Sequence, residues 1–291
     1  MRVLRSRVVA LAGACGGLIA CWALFAGAAR ASTVNQATTP LYYLALGDSL
    51  STGGGATAGH GYVDDIFNWA TRSIPGLTLE NLGCAGDTTT RMIHGGGCTN
   101  YQTGNQLGDA EQFLAAHKGQ VAFVTIDIGG DDVVGCGAVY ATDPSCLQPV
   151  LNHVATNMQT ILSGLRNAGG NLPIVGMLYY DPVLGDYLNG SAGQTQALES
   201  IGALIQFNRE LRSLYRSYGV KIANAQKEFE SFDLSPTGSF DGQVLPQNVA
   251  NICNWTHMCQ ADPNIHTNDF GHELLAVEFE YKLERIVTGL G

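Results

Sequence analysis

Cationic side chains are scarce in this chain once its first residues are set aside. The 291 residues include 15 Lys and Arg against 25 Asp and Glu. Four of the arginines and none of the acids lie in residues 1–31, so residues 32–291 carry 15 − 4 = 11 cations against 25 acids, a formal charge of −14. This balance argues against nucleic acid and anionic membrane surfaces as partners. It favours neutral or cationic substrates.

Several sequence motifs are also missing, and each absence argues against a class of chemistry. The chain has no C-x-x-C pair of the kind typical of zinc sites, no phosphate-binding loop and no dinucleotide-binding fingerprint. It has no G-x-S-x-G sequence, which argues against an α/β-hydrolase fold. After residue 28, no stretch is apolar enough to span a membrane. We therefore expect no metal, no organic cofactor and no obligatory membrane insertion.

The first residues have the pattern of a secretory leader. Three arginines precede an apolar stretch at residues 8–28, and Ala29-Arg30-Ala31 then fits a small-residue cleavage site. This pattern predicts a signal peptide at residues 1–31, an N-terminal arm at residues 32–40, and secretion of the mature protein. Two alternatives stay open: an uncleaved membrane tether, and lipidation at Cys21, which ends a sequence similar to a lipoprotein cleavage box.

The cysteines favour an oxidising compartment. Two of the eight lie in the leader, and the other six fall into three pairs that are close in sequence. Six cysteines allow about fifteen connectivities, so other pairings stay open. Local closure is the simplest arrangement, and secreted proteins retain their disulfides. We expect the bonds Cys84–Cys98, Cys136–Cys146 and Cys253–Cys259.

Strand-like and helix-like segments alternate after residue 40. Apolar stretches predict strands at residues 41–46, 77–82, 121–128, 173–180 and 220–225. Apolar spacing and capping residues predict helices at residues 62–72, 109–117 (with Asp109 as N-cap), 150–168, 192–218 and 268–287. This alternation indicates an α/β protein, a three-layer α/β/α sandwich with a mostly parallel five-stranded sheet. Residues 41–291 are predicted to form one domain.

Ser49 directly follows the first predicted strand, in the sequence Gly47-Asp48-Ser49-Leu50. Open α/β sheets bind their ligands beyond the carboxyl ends of the strands. A serine at such a place can act as a nucleophile if a histidine takes its proton. Most loop serines only form turns or caps, so the other blocks of the chain decide between these roles.

Four short blocks follow one another along the chain: Gly47-Asp48-Ser49-Leu50, Asn81-Leu82-Gly83-Cys84-Ala85-Gly86-Asp87, Gly129-Gly130-Asp131-Asp132, and Asp262-Pro263-Asn264-Ile265-His266. Together they resemble the SGNH/GDSL hydrolases, a family of serine esterases and lipases. The resemblance covers nearly all of the chain after the leader and implies a flavodoxin-like fold. It implies Ser49 as nucleophile and His266 as general base. It also implies that the backbone N–H groups of Ser49 and Gly86 donate to the oxyanion.

Asp131 departs from the family's pattern, in which an asparagine at this place donates to the oxyanion. An ionised carboxylate cannot donate a hydrogen bond, and its charge would oppose the charge that develops on the substrate. Burial in an apolar pocket can raise the pKa of a carboxyl group, so a protonated Asp131 is one solution. The others are a side chain that has turned away, or low activity.

The acid expected to orient His266 is also displaced. The family often has an acid three residues before this histidine, where the chain has Pro263, and Asp262 lies four residues before it. Asp262 is the expected triad acid. In the alternative, Asp262 is a turn residue and a backbone carbonyl orients the ring of His266, which gives a Ser–His dyad.

These features predict a secreted hydrolase that cleaves carboxylic ester bonds through an acyl-enzyme. The expected partner is a small-molecule, lipid or polysaccharide ester, and the expected oligomeric state is a monomer. Removal of acetyl groups from a carbohydrate is an alternative reaction. A weakly active or inactive member of the fold that binds lipid or carbohydrate is a second alternative, motivated by Asp131.

Overall fold

Five parallel strands form the central sheet of the chain. The structure is a computed structural model that describes residues 41–291; the predicted signal peptide, the arm and the alternative lipidation of Cys21 lie outside the described residues. The strands are β1 (Tyr42–Gly47), β2 (Thr78–Asn81), β3 (Val121–Asp127), β4 (Ile174–Leu178) and β5 (Lys221–Asn224), in the order β2-β1-β3-β4-β5. The predicted fold class is confirmed.

The three inner strands β1, β3 and β4 are almost wholly buried. Strands covered by helices on both faces have near-continuous apolar sequences, and this is why the sequence signal was strong. From β1 the chain adds β2 on one side of the sheet and then β3, β4 and β5 on the other side, so the order of strands reverses between β1 and β3. In sheets of this kind the carboxyl ends of the strands at the reversal form the crevice that binds ligands.

Helices cover both faces of the sheet. They are α1 (Tyr62–Ala70), α2 (Thr89–His94), α3 (Gln106–Ala116), α4 (Gly130–Gly137), α5 (Leu147–Gly169), α6 (Gly190–Ser217), α7 (Ala225–Glu228), α8 (Gln247–Trp255) and α9 (Asp269–Val287). Helix α1 packs against α9, while α5 packs against both α3 and α6. A short antiparallel hairpin, β6 (Gly238–Phe240) and β7 (Gln243–Leu245), packs on α8.

Helix α3 begins before its predicted start at Asp109. Its N-cap is Asn105, whose side chain accepts a hydrogen bond from the N–H of Gly108 at 2.8 Å. Asp109 instead accepts from the backbone N–H groups of Gln102 and Thr103, at 2.9 and 2.7 Å. The acid therefore holds the preceding loop against the helix and does not cap it.

The glycine-rich loops contain more helix than the sequence predicted. Helices α2, α4 and α8 are short, and glycine beside α2 and within α4 weakens the periodic signal of these two. Helix α4 matters most for the site, because it begins at Gly130 and so places Asp131 in its first turn.

Three disulfide bonds close loops of the described chain: Cys84–Cys98, Cys136–Cys146 and Cys253–Cys259. The second of these closes the segment between α4 and α5, so it ties the end of α4 to the start of α5. Of the helices in residues 41–291, none combines the length and the apolar character needed to cross a membrane.

Gly176 lies in β4 directly under the ring of the buried Tyr215. An added Cβ there would be 2.4 Å from the ring. We expect Gly176→Ala to lower the free energy of unfolding by about 1–3 kcal/mol, since overpacking forces the ring to move. Gly135→Ala is the matched control, because nothing lies within 4 Å of that position in α4. Urea unfolding measures both variants, and an unchanged midpoint for Gly176→Ala would contradict this packing.

Candidate active site

Ser49 lies in the turn that follows β1, at the ligand-binding edge of the sheet. Its carbonyl accepts hydrogen bonds from the N–H of Gly54 at 2.7 Å and from the hydroxyl of Thr52 at 2.8 Å. The side chain of Asp48 accepts from the N–H of Leu50 at 3.0 Å, so a hydrogen bond spans the serine itself. Ser49 is only 8% exposed. Its backbone is therefore fixed from both sides.

His266 approaches Ser49 from the loop before α9. Its Nε2 lies 2.8 Å from the Oγ of Ser49. A β-bridge between Thr256 and Thr267 holds this loop, and the N–H of His257 donates to the carbonyl of His266 at 2.9 Å. Burial lowers the pKa of His266, and the neighbouring His257 lowers it further. The imidazole is therefore neutral at neutral pH and can accept a proton.

Asn264, and not Asp262, contacts the far side of the His266 ring. Its Oδ1 lies 3.1 Å from Nδ1 of His266 and accepts from the backbone N–H of the same histidine at 3.1 Å. An amide oxygen can only accept, so this contact assigns the ring proton to Nδ1 and leaves Nε2 to accept from Ser49. Sequence reasoning missed Asn264, although its place two residues before His266 was the available signal.

Asp262, the expected triad acid, is exposed and lies away from the ring. Within residues 41–291 no hydrogen bond joins Asp262 to His266. Asp262 lies in a bend directly before Pro263, and a proline disfavours helical backbone in the residue that precedes it. The alternative dyad, in which a backbone carbonyl orients the ring, differs from the structure as well, since the acceptor is the side-chain carbonyl of Asn264.

Gly86 lies on the loop after β2, and Gln106 ties that loop to β1. The side chain of Gln106 accepts from the N–H of Gly47 at 2.7 Å and donates to Asp87 at 3.0 Å. Gly86 is exposed and has a φ of 78°, a left-handed conformation that favours glycine. Among the described residues, the backbone N–H groups of Ser49 and Gly86 have no hydrogen-bond acceptor. Both are available to a ligand.

Asp131 lines the same pocket as Ser49 and His266. Its Oδ2 is buried and has no hydrogen-bond partner in the described part of the chain. Burial raises the pKa of Asp131, the charge of Asp132 raises it further, and Arg91 opposes both effects. The next residue, Asp132, does have hydrogen-bond partners, because its carboxylate accepts from the N–H and the hydroxyl of Thr89 at 2.8 and 2.7 Å.

An apolar pocket extends from Ser49 into the protein between α4, α6 and the 3₁₀ helix Pro182–Leu188. The empty space within the pocket and in front of it, open solvent included, is about 730 Å³. Its walls beyond the serine are mainly aliphatic and aromatic, with Val133, Val134, Leu147, Leu204, Phe207 and Ile265 among them. The hydroxyl groups of Tyr179 and Tyr180 donate to Asp48 and to the carbonyl of Ile265, so their rings also face the pocket as apolar surfaces.

Two other histidines near Ser49, His272 and His257, contact backbone groups of the neighbouring loops. His272 is fully buried; its Nδ1 accepts from the N–H of Tyr62 at 3.1 Å and its Nε2 lies 2.9 Å from the carbonyl of Gly54. The Nε2 of His257 lies 2.9 Å from the carbonyl of Gly55, the residue that follows Gly54. Across residues 41–291, no group of three or more His, Cys, Asp or Glu side chains is arranged to hold a metal ion.

The family model described as "GDSL-like Lipase/Acylhydrolase family" matches residues 45–274. The match covers most of the chain and includes Ser49, Gly86, Asp131 and His266. The chain belongs to this family, and it is a carboxylic ester hydrolase. No curated protein sequence matches it.

Several solved structures share the fold at low sequence identity. A lipase from a goat rumen metagenome is 16% identical with a TM-score of 0.55, over 83% of this chain and 97% of its own. The extracellular lipase of Streptomyces rimosus is 15% identical with a TM-score of 0.54, over 83% and 99%. Phospholipase A1 of Streptomyces albidoflavus NA297 is 17% identical with a TM-score of 0.52, over 84% and 99%. At these identities the likeness shows the fold alone.

Mutation distinguishes the roles of Asn264 and Asp262 in orienting His266. We expect Asn264→Ala to lower kcat at least about tenfold, a part of the roughly 10²–10⁴-fold that a positioned general base supplies. Asp262→Ala is the matched control and should leave kcat unchanged, because its side chain is exposed and does not contact the ring. Steady-state hydrolysis of a chromogenic ester measures both. The opposite ranking would restore Asp262 as the orienting residue.

Proposed function

We propose that the chain hydrolyses carboxylic esters through an acyl-enzyme formed on Ser49. The observation that carries this proposal is the 2.8 Å contact between Ser49 Oγ and His266 Nε2 at the mouth of an apolar pocket. Ser49 Oγ attacks the ester carbonyl while Nε2 takes its proton. The imidazolium then protonates the leaving alcohol. In the second half, Nε2 takes a proton from water, the resulting hydroxide attacks the acyl group, and Ser49 recovers its proton.

Asn264 keeps the imidazole of His266 in the productive tautomer. Its amide oxygen carries no full charge, so it stabilises the imidazolium less than a carboxylate would. The pKa of His266, already lowered by burial, is therefore not raised again by a neighbouring acid. The base stays unprotonated down to a lower pH than the pKa of a free histidine would allow.

The oxyanion is stabilised by the N–H groups of Ser49 and Gly86 and by a protonated Asp131. A neutral carboxylic acid donates a hydrogen bond, as an asparagine amide does, whereas an ionised carboxylate cannot. The raised pKa of Asp131 and its unpartnered buried Oδ2 support this role. The raised pKa of Asp131 and the lowered pKa of His266 bring the pH range in which Asp131 is protonated closer to the range in which His266 is neutral.

The substrate has an uncharged acyl group longer than acetyl. No Lys or Arg lies among the residues that line the described pocket, whereas Asp48, Asp131 and Asp181 do. Such a pocket disfavours anionic groups, and its apolar walls favour a hydrocarbon chain. An acetyl group would leave most of these apolar walls without contacts. The pocket therefore favours esterase or lipase activity over removal of acetyl groups from a carbohydrate.

We also propose that the enzyme is secreted. The leader pattern at residues 1–31, the acidic balance of residues 32–291 and the three disulfide bonds are all compatible with an extracellular enzyme. In this arrangement residues 32–40 form an arm and residues 41–291 form the hydrolase domain.

Replacement of the nucleophile tests the proposed function. Ser49→Ala should reduce hydrolysis of p-nitrophenyl esters to background, because no other group can form the acyl-enzyme. Ser51→Ala is the matched control, since the Ser51 hydroxyl donates to the carbonyl of Asp48 and does not face His266. The assay spans acidic to alkaline pH. Hydrolysis that survives in Ser49→Ala would contradict the mechanism, and a wild type inactive at every pH would favour the alternative of a binding protein.

Asp131→Asn tests the charge in the oxyanion site. As pH rises through the raised pKa of Asp131, the wild type loses a donor and gains an opposing charge. The amide donates at every pH, so we expect kcat/KM at neutral pH to rise at least about tenfold, towards the roughly 10²–10³-fold value of one oxyanion donor. Asp241→Asn, which changes an exposed acid in the turn between β6 and β7, is the control. Equal or lower activity in Asp131→Asn would remove Asp131 from the oxyanion site.

A further inference from the structure

Asp127 is a buried carboxyl group that the catalytic steps do not use. It ends β3 beside the strand that leads to Ser49, and it is fully buried. Its register partner is Gly47, and an added Cβ on Gly47 would lie 2.3 Å from Oδ1 of Asp127. The glycine of the Gly-Asp-Ser-Leu sequence therefore leaves room for this carboxyl group.

Asp127 also contacts Asp48, the residue next to the serine. The N–H of Asp48 donates to the carbonyl of Asp127 at 3.1 Å, and both residues are buried side by side where β1 and β3 end. The hydroxyl of Tyr62 donates to Oδ1 of Asp127. Oδ2 is buried, and within residues 41–291 no ordinary donor reaches it.

The surroundings of this pair contain no compensating positive charge. In residues 41–291 the ion pairs of Lys and Arg involve only Lys227, far along the chain from both acids. The groups that act electrostatically on the pair are phenols and one more acid: Tyr43 of β1, Tyr62 of α1, Tyr179 and Tyr180 after β4, Tyr215 of α6 and Asp131 of α4. Two adjacent buried carboxylates without a cation cannot both stay ionised.

We propose that Asp127 is a positioning residue, a carboxylic acid whose Oδ2 proton is donated to the carboxylate of Asp48. This assignment gives the buried Oδ2 its missing partner and leaves Oδ1 to accept from Tyr62. Desolvation and the charge of Asp48 both raise the pKa of Asp127, in agreement with this proton. Because the carboxyl groups of Asp127 and Asp48 interact, their protons are lost in steps that belong to the pair and not to either residue alone.

The shared proton acts on Ser49 through Asp48. Oδ1 of Asp48 accepts from the N–H of Leu50 at 3.0 Å, and Oδ2 accepts from the hydroxyl of Tyr179 at 3.1 Å. The proton donated by Asp127 is a third hydrogen bond to the carboxylate of Asp48, and it holds in place the carboxylate that binds the N–H of Leu50 across Ser49. The direction of the Ser49 N–H therefore depends on Asp127. This inference rests on the proposed role of Ser49 in catalysis.

Two substitutions at Asp127 separate positioning from bulk stability. In Asp127→Asn the amide nitrogen donates permanently to Asp48 and the amide oxygen accepts from Tyr62, so we expect most of the wild-type kcat to remain. Asp127→Ala removes the donor, and kcat should fall by about 10- to 100-fold with little change in KM, as expected for a slightly misplaced reacting group. Equal loss of kcat in both variants would overturn the proposal.

Infrared spectroscopy tests the proton itself without turnover. The probe is the carbonyl band of protonated carboxyl groups, measured at mildly alkaline pH in protein labelled with ¹³C-aspartate. The background is Ser49→Ala with Asp131→Asn, so that neither catalysis nor Asp131 contributes. We expect a band that disappears when Asp127→Asn is added. The absence of any such loss would overturn the shared proton, whereas activity retained in Ser49→Ala would refute only the proposed function.

Discussion

The hydrogen bond between Ser49 and His266 is the contact on which the rest of the site depends. It joins residues 217 positions apart, one at the end of the first strand and one before the last helix. Close approach of the two loops needs glycine, because an added Cβ on Gly54 would lie 2.9 Å from the His266 ring and one on Gly55 would lie 2.7 Å from the His266 Cβ. The β-bridge before α9 and the buried His272 then hold these loops in place.

Around this contact the site is rich in acids and poor in cations. Asp48, Asp127 and Asp131 all lie close to Ser49, and burial raises the pKa of each. Where no cation neutralises a buried carboxyl group, a proton does so. In this account the protons have two different uses: one on Asp131 donates to the oxyanion, and one on Asp127 holds the turn that presents the serine. The use at Asp131 favours activity at lower pH, and the lowered pKa of His266 extends the range of pH over which the base stays neutral.

The parts of this structure that were predictable from sequence are those with strong local signals. The inner strands are continuous apolar runs, so they and the parallel sheet could be read directly, and the four blocks identified Ser49 and His266 as candidates. The position of Asp262 could not be read, because it depends on how the chain turns at Pro263. The pairing of Asp48 with Asp127 could not be read either, because it depends on the register between β1 and β3. Helix α4 escaped prediction because glycine weakens its pattern.

Covalent labelling tests the central claim most directly. An alkyl fluorophosphonate reacts with a serine only when a base has activated it, and peptide mass spectrometry locates the adduct. The account predicts one adduct on Ser49 in the wild type and none in His266→Ala, with no labelling at the neighbouring Ser51. An adduct at another residue, or labelling of Ser49 that does not depend on His266, would contradict it.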